Sequence, residues 1–192
     1  LIEKSWDAPS GSQVLIRVEA APINPSDLGL LFASADIEQA QYSPGKVVAQ
    51  MPAAATRAMK ARHGISMPAG NEAAGMVVAA GDDPAAQALL GQRVASVPGA
   101  AYADYAVADA AMCMPVDLDT TPAQAASSFV NPMTALGFVE TMRMEGFSGI
   151  IHAAAASNLG QMLVKICLAD GVPLVNVVRS AGCSKKLLIA DM

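Results

Sequence analysis

Hydrophobic and polar positions alternate from Val14 to Ala20, the first regular pattern in the chain. A period of two places neighbouring side chains on opposite faces, so the segment predicts a half-buried strand. Prolines then interrupt the pattern, and a short helix is predicted from Asp27 to Phe32 with Ser26 as its cap. Beyond it, a loop is expected to run through Pro44 and Pro52.

Short β-type segments follow, separated by glycine, aspartate and proline turns, at residues 76–79, 93–97 and 102–107. This spacing predicts a small, mostly β domain. Two helices come next, one capped by Thr121 and one that Asn131 caps and that runs to Gly146. We therefore predict a first domain over residues 1–118 and a second over residues 119–192.

After its two helices, the second domain continues with an apolar strand at residues 150–153, followed by a tight turn. An amphipathic helix at about residues 159–169 leads into another apolar segment at residues 173–178. Strand, helix and strand within about thirty residues form a β-α-β unit with a right-handed crossover.

Composition restricts the function classes. The chain of 192 residues is 53% hydrophobic and 15% charged, enough for one sizeable core or two small ones. No apolar run is long enough for a membrane span, and the net charge of −5 argues against nucleic-acid binding. The basic cluster from Arg57 to His63 is interpreted as a short solvated helix.

Three cysteines, Cys113, Cys167 and Cys183, are odd in number and far apart. This spacing disfavours both a disulfide framework and a clustered metal site, and indicates a reduced, cytoplasmic setting. Leu1 is not expected to be the native start, because an initiator methionine is missing.

The turn at residues 154–160 reads A-A-A-S-N-L-G, where a dinucleotide-binding fold carries its phosphate loop. Small residues let backbone N–H groups and a helix N-terminus approach a pyrophosphate. Asn158 tolerates a left-handed conformation and could replace a turn glycine. Ser157, Asn158, Leu159 and Gly160 are therefore candidate cofactor-binding residues, the alternative being an ordinary strand-to-helix turn.

Four further segments carry a family resemblance when taken together. They are V-L-I-R-V-E-A-A-P-I-N-P-S-D at 14–27, G-N-E-A-A-G-M-V-V-A-A-G at 70–81, Y-A-D-Y-A-V at 102–107 and V-N-P-M-T-A-L at 130–136. With the β-α-β unit, they resemble the medium-chain dehydrogenase/reductase family, in particular its zinc-independent quinone-oxidoreductase and enoyl-reductase branch. The resemblance implies an α/β protein with a mostly β GroES-like catalytic domain followed by a partial Rossmann domain. NADPH and a small-molecule substrate would bind in the cleft between them.

Zinc is not expected. Zinc-dependent relatives place a histidine before the glutamate of the G-x-E segment, whereas Asn71 precedes Glu72 here. An amide is a poor zinc ligand, and the four-cysteine lobe of a structural zinc site is missing as well.

The resemblance also implies roles for individual residues. Asn24 and Asp27 would lie near the nicotinamide, and Thr134 would contact it. The alternatives are a proline-flanked turn with an Asx cap for the first two and a helix hydroxyl bonded to its own backbone for Thr134. Tyr42 is a candidate proton donor, with a surface packing role as its alternative.

Other aromatic and imidazole groups have structural interpretations. Tyr102 and Tyr105 are expected to pack on the small sheet, His152 to be a satisfied core histidine and His63 to lie at the surface.

A preference for NADPH over NADH is predicted from the end of the second Rossmann strand. No acid lies between Val172 and Lys186, where NAD-specific folds place a carboxylate on the ribose. Arg179 offers a charged fork suited to a 2′-phosphate, and Ser180 can add a neutral hydrogen bond. Alternatively, Arg179 is a solvated residue leaving a strand.

The sequence thus predicts an NADPH-dependent reductase acting on a quinone or conjugated enone. An enoyl-thioester reductase and a non-catalytic nucleotide-binding protein remain the alternatives, and a homodimer is one assembly compatible with the family. Residues 185–191 resemble a later strand of a Rossmann domain that follows sooner in the chain than expected. A deletion, a fragment or omitted segments would explain this.

Overall fold

The computed structural model describes residue 3 and residues 5–180. Contacts divide the chain into two compact units, with the division after Ser127. The predicted boundary lies earlier, between residues 118 and 119. The segment between the two positions stays with the first unit because Ala125 and Ala126 pack against Ala74 in one buried cluster.

The first unit is mostly β, as the sequence predicts. Its elements are β1 (Gln13–Ala20), α1 (Pro25–Phe32), β2 (Asp36–Ser43), β3 (Lys46–Gln50), α2 (Ala53–Ala58), β4 (Ala73–Ala80), α3 (Pro84–Ala88), β5 (Arg93–Ser96), β6 (Tyr105–Asp109), β7 (Cys113–Pro115) and α4 (Pro122–Ala126). Short 3-10 turns cover Lys60–Arg62 and Ala110–Met112.

Five strands form one antiparallel sheet in the order β6, β1, β4, β5, β7. Strand β1 lies between β6 and β4, and Val14 and Ile16 on one of its faces are at most 1% exposed. They pack with Val77 and Val94 in the main core of this unit. The strand predicted from alternation is therefore confirmed.

Two predictions for residues 24–52 are wrong. Helix α1 begins at Pro25 with Asn24 at its N-cap, so Ser26 lies in the first turn instead of capping it. A proline at the first helical position loses no hydrogen bond and has the required φ, which favours this earlier start. The predicted loop is instead an antiparallel hairpin of β2 and β3, joined through Pro44 and Gly45, where φ of Gly45 is +71°.

The basic cluster is confirmed as short helical structure at the surface. It occupies the end of α2 and the following 3-10 turn, and no residue of either is buried.

The second unit contains α5 (Val130–Met144), β8 (Ile150–His152), α6 (Asn158–Asp170) and β9 (Leu174–Asn176). Strands β8 and β9 are parallel, with Ile150 opposite Leu174, and the predicted β-α-β unit is confirmed. The buried core combines Ala135 and Val139 of α5 with Leu163 and Cys167 of α6.

One cap of the second unit is predicted wrongly. Asn131 lies inside the first turn of α5, whose N-cap is Phe129, and the helix ends at Met144, before Gly146. Within the described residues, no helix has both the length and the apolar character needed to cross a membrane. Cys183 and the strand-like residues 185–191 lie outside them.

Candidate functional site

Asn24 and Asp27 come together at the start of α1. The backbone N–H of Asn24 donates to Oδ2 of Asp27 at 2.8 Å, and the N–H of Asp27 donates to the carbonyl of Asn24 at 2.9 Å. Asn24 is 8% exposed and Asp27 fully buried. The alternative of a capped, proline-flanked turn therefore describes the local geometry.

The same two residues join this turn to the segment before β4. Oδ1 of Asp27 accepts from the backbone N–H of Asn71 at 2.9 Å, and Nδ2 of Asn24 donates to Oε1 of Glu72 at 2.8 Å. Glu72 is only 1% exposed. Because the Asp27 carboxylate accepts from two backbone amides, it positions the turn and the G-N-E segment relative to each other.

Tyr102 is the residue of this cluster that the sequence missed. It lies before β6 and not in a strand, and its hydroxyl donates to the carbonyl of Pro22 at 3.0 Å. Gly70 lies beneath its ring at φ +88°, and a Cβ there would be 2.7 Å from Cδ1 of Tyr102. Burial, and then the negative charge and hydrogen bonding of Asp27, raise the pKa of Tyr102. A neutral hydroxyl donor is therefore favoured in the fold.

The side chains of Asn71, Cys113 and Cys167 are poorly suited to bind a metal ion. Nδ2 of Asn71 donates to the hydroxyl of Ser26 at 2.9 Å. Burial raises the pKa of both Cys113 and Cys167, which makes them poorer thiolate ligands. The described residues contain no group of three or more candidate metal ligands. Whether the protein binds zinc stays a prediction.

The predicted phosphate turn precedes helix α6. Oγ of Ser157 accepts from the N–H of Gly160 at 3.0 Å and caps the helix, which begins at Asn158. The first N–H groups of a helix have no intrahelical partner, so the amides of Asn158 and Leu159 point outward at its positive end. That arrangement suits a pyrophosphate.

Gly160 shows how closely the helix approaches the strand end. A Cβ at this position would lie 2.3 Å from the carbonyl oxygen of Ala155 and 2.7 Å from that of Ala154. This is the close helix–strand packing for which a dinucleotide fold keeps the last glycine of its loop. The alanines that replace the earlier glycines are small enough to keep the turn compact, and these residues fit a dinucleotide.

Two polar atoms at the carboxyl ends of β8 and β9 lack a partner. Nδ1 of His152 and Oδ1 of Asn176 are buried and make no hydrogen bond among residues 5–180, although the two residues are opposite each other in the parallel pair. The ring of Phe138 lies 5.9 Å from that of His152. Among the described residues, no partner is found at Nδ1 for the predicted satisfied core histidine. Nucleotides bind at this edge of a parallel sheet.

A surface cavity of about 200 Å³ lies beside the first turns of α6. Asn158, Gln161, Met162 and Lys165 line it at helical spacing. Lys165, seven residues or about two turns after Asn158, adds a cation on the same side of the helix, and this helical spacing was the signal in the sequence.

Arg179 and Ser180 follow β9 and are exposed. The N–H of Val177 donates to the carbonyl of His152 at 2.9 Å, so pairing with β8 continues one residue past the strand. Arg179 thus follows the strand end at which the sequence predicts recognition of the 2′-phosphate, and that role remains a prediction.

The hydroxyl groups of Thr134 and Tyr42 both donate to nearby backbone carbonyls, as expected if these residues have structural roles. The hydroxyl of Thr134 donates to the carbonyl of Val130 at 2.7 Å within α5. Tyr42 lies on the exposed hairpin, 71% exposed, and its hydroxyl donates to the carbonyl of Ile37 at 3.2 Å. Among the described residues of the first unit, Tyr42 does not join the hydrogen-bond network around Asp27, and the roles of Thr134 and Tyr42 in catalysis stay predictions.

Comparison with known proteins identifies the family. Residues 10–118, which contain the five-stranded sheet, match the alcohol dehydrogenase GroES-like domain. The chain belongs to this GroES-like family. It is also 30% identical over 182 residues to the bovine mitochondrial enoyl-[acyl-carrier-protein] reductase, an alignment that covers 94% of this chain and 42% of that protein.

Solved structures with the GroES-like fold are similar over nearly the whole chain. A Mesorhizobium loti protein described as an NADPH:quinone reductase is 32% identical, with 96% of this chain and 48% of that chain covered at a TM-score of 0.69. The Escherichia coli quinone oxidoreductase complexed with NADPH is 20% identical, with 98% and 51% covered at a TM-score of 0.65, which shows the fold alone.

These relatives confirm the predicted place in the medium-chain dehydrogenase/reductase family, in the branch of quinone oxidoreductases and enoyl reductases. The chain spans about two fifths of the length of the curated relatives it matches, and about half of the solved chains.

Proposed function

We propose that this chain forms the GroES-like domain and the opening of the nucleotide-binding domain of an NADPH-dependent, zinc-independent reductase. Its substrate would be a quinone or a conjugated enone. The observation that carries this proposal is the capped turn before α6, where only glycine fits at position 160 and two helix amides remain to bind a pyrophosphate. The quinone-reductase relatives supply the reaction class.

When bound, the cofactor would supply a hydride, and the residues of this chain would bind and position. Asn158 and Leu159 would donate their backbone N–H groups to the pyrophosphate, and Arg179 would pair with the 2′-phosphate. Asp27 holds Asn24 against Glu72, which keeps the amide of Asn24 in one orientation. The positioned polar groups would hold the acceptor's carbonyl while the hydride arrives.

An enoyl-thioester reductase is the second candidate, favoured by the 30% identity to the bovine mitochondrial enoyl-[acyl-carrier-protein] reductase. In that case Tyr42, which is 71% exposed on the hairpin, would serve as the proton donor. A panel of quinones, enones and enoyl thioesters separates the two reductases, because the preferred acceptor is the one with the higher kcat/KM. Binding of NADPH without its oxidation by any acceptor would support the non-catalytic alternative.

The proposed function is tested first at Arg179. Replacing Arg179 with alanine should lower the affinity for NADPH by about one to two orders of magnitude and leave NADH almost unchanged, because a charge-assisted hydrogen bond contributes roughly 1.5–3 kcal/mol. Calorimetric titration with each cofactor measures both affinities directly.

Arg143 provides the matched control. It is a second-unit arginine that pairs with Glu140 and Asp170, so Arg143→Ala removes the same charge away from the phosphate turn. Equal loss of both cofactors in Arg179→Ala, or equal affinity of the unaltered protein for NADH and NADPH, would contradict the role of Arg179.

A second prediction concerns Thr134. Thr134→Val should slow hydride transfer by a factor that corresponds to about 1 kcal/mol, with a smaller change in stability. Stopped-flow oxidation of NADPH and chemical denaturation measure the two effects. Thr141→Val in the same helix is the control. If the folded Thr134→Val protein kept full turnover, the role of the Thr134 hydroxyl would be the structural bond to the carbonyl of Val130.

The proposed partner is a small-molecule substrate. A small-molecule substrate agrees with the oxidoreductases to which the chain is similar. The cytoplasmic location inferred from the cysteines stays a prediction, and several of the relatives are mitochondrial proteins.

A further inference from the structure

Tyr102 joins segments of the first unit that are far apart in the sequence. Its hydroxyl donates to the carbonyl of Pro22 at 3.0 Å, 80 residues away along the chain. Its backbone N–H donates to the carbonyl of Ala69 at 3.0 Å, and the N–H of Ala101 donates to the carbonyl of Gly70 at 3.0 Å. One tyrosine therefore connects the turn before α1 with the segment before β4.

Gly70 provides the space that the ring of Tyr102 occupies. A Cβ at residue 70 would lie 2.6 Å from the backbone nitrogen of Tyr102 and 2.7 Å from Cδ1 of its ring. With φ at +88°, Gly70 also has a backbone conformation that favours glycine. The close packing on this glycine places the tyrosine where its hydroxyl reaches the carbonyl of Pro22.

The turn that this hydroxyl reaches contains Asn24. The carbonyl of Pro22 accepts a hydrogen bond on one side of Ile23, and the backbone N–H of Asn24 donates to Asp27 at 2.8 Å on the other. Ile23 itself is 73% exposed, so packing of its side chain contributes little to the conformation of the turn. Hydrogen bonds at both sides of Ile23 therefore hold this part of the chain.

The carboxylate of Asp27 acts on the tyrosine as well. Burial, and then the negative charge and hydrogen bonding of Asp27, raise the pKa of Tyr102. The phenol therefore stays neutral and remains a donor at pH values where an exposed tyrosine begins to ionise. The same carboxylate accepts from the N–H groups of Asn24 and Asn71, so Tyr102 and Asp27 hold one turn together.

We propose that Tyr102 is a positioning residue whose hydroxyl, through the carbonyl of Pro22, keeps the side-chain amide of Asn24 in the orientation that hydride transfer needs. That amide is already directed by its bond to Glu72 at 2.8 Å. The role rests on the proposed function, in which positioned polar groups hold the acceptor's carbonyl. Tyr102 acts through the turn and not on the reacting atoms.

Tyr102→Phe removes the hydroxyl and keeps the ring over Gly70. In the folded protein, kcat for oxidation of NADPH should fall about three- to tenfold, the range of one net hydrogen bond. The KM of the acceptor and the affinity for NADPH should change less than about twofold, because the hydroxyl affects orientation and not binding. Hydrogen exchange of the backbone amide of Asn24 should accelerate by about the same three- to tenfold factor as kcat falls. Tyr105→Phe, the same change at a 43% exposed residue of β6, is the control and should alter neither quantity.

A second variant separates positioning from a general loss of stability. Asp27→Asn keeps the size of the side chain and removes its charge. If Tyr102 and Asp27 hold the same turn, their effects on kcat should be less than multiplicative in the double variant. Ultraviolet absorbance of the ionised phenol gives a measurement that does not require activity. The ionisation that Tyr102→Phe abolishes should move to lower pH in Asp27→Asn, because the negative charge that opposes it is gone.

The outcomes distinguish this role from the proposed function. Unchanged kcat in the folded Tyr102→Phe protein, with the unaltered protein active, would overturn the positioning role alone. Multiplicative effects in the double variant, or an unchanged phenol ionisation in Asp27→Asn, would also overturn it. An unaltered protein that oxidises NADPH with no quinone, enone or enoyl thioester would overturn the proposed function, and the positioning role with it.

Discussion

Replacing Gly160 with alanine is expected to destabilise the second unit by roughly 3 kcal/mol, because the new methyl group would overlap a backbone carbonyl that cannot move without shifting the strand end. The added Cβ would lie 2.3 Å from the oxygen of Ala155, itself fully buried. Hydrogen exchange of the amides of α6 should accelerate about 100-fold. NADPH affinity should fall in parallel if the turn holds the pyrophosphate.

Gly137 supplies the matched control for this substitution. It lies in α5, and a Cβ there would meet no atom within 4 Å. Gly137→Ala should therefore stabilise the protein by about 0.5–1 kcal/mol, since alanine loses less conformational entropy in a helix. If both variants showed the same change, the close approach at Gly160 would not govern its stability.

Removing the carboxylate of Asp27 is expected to cost about 2–5 kcal/mol of stability, since Asp27→Ala leaves the amides of Asn24 and Asn71 without their acceptor. Urea denaturation measures the loss. Asp36→Ala is the control: among the described residues, the exposed side chain of Asp36 accepts only from the N–H of Gln39, at 3.3 Å, and the change should be within about 0.5 kcal/mol.

The Asp27 variant also separates positioning from a direct catalytic role. A positioning role predicts that stability and hydride transfer fall together and that Asp27→Asn recovers part of both. An Asp27→Ala protein with unchanged stability and no turnover would contradict the network and place the carboxylate at the reaction itself.

The local sequence pattern predicted several elements of the fold, because residues that are close together in the sequence determine them. The alternation of Val14, Ile16 and Val18 predicted β1, and the small residues before Gly160 predicted the turn before α6. The hairpin was missed because β2 reads D-I-E-Q-A-Q-Y-S, with few β-branched residues, although Pro44 and Gly45 form a turn signal that could have indicated it.

The candidate site was predictable in part. Sequence identified Asn24 and Asp27, but not that Asp27 bonds to Asn71, 44 residues away along the chain. The position of Tyr102 over Gly70 depends on the same tertiary contacts. Such pairings have no local periodicity, so a single sequence carries no signal for them.

The bonds that Asp27 makes to Asn24 and Asn71 have an evolutionary consequence. They join the two ends of the segment formed by residues 28–69, so this segment is a loop whose ends are held together by hydrogen bonds. Lengthening a loop whose ends are already joined adds little entropic cost, about 0.6 kcal/mol for each doubling. The sequence between residues 28 and 69 can therefore be exchanged or extended with little disturbance to the polar groups at its base. The same polar base can therefore support segments of different length and composition.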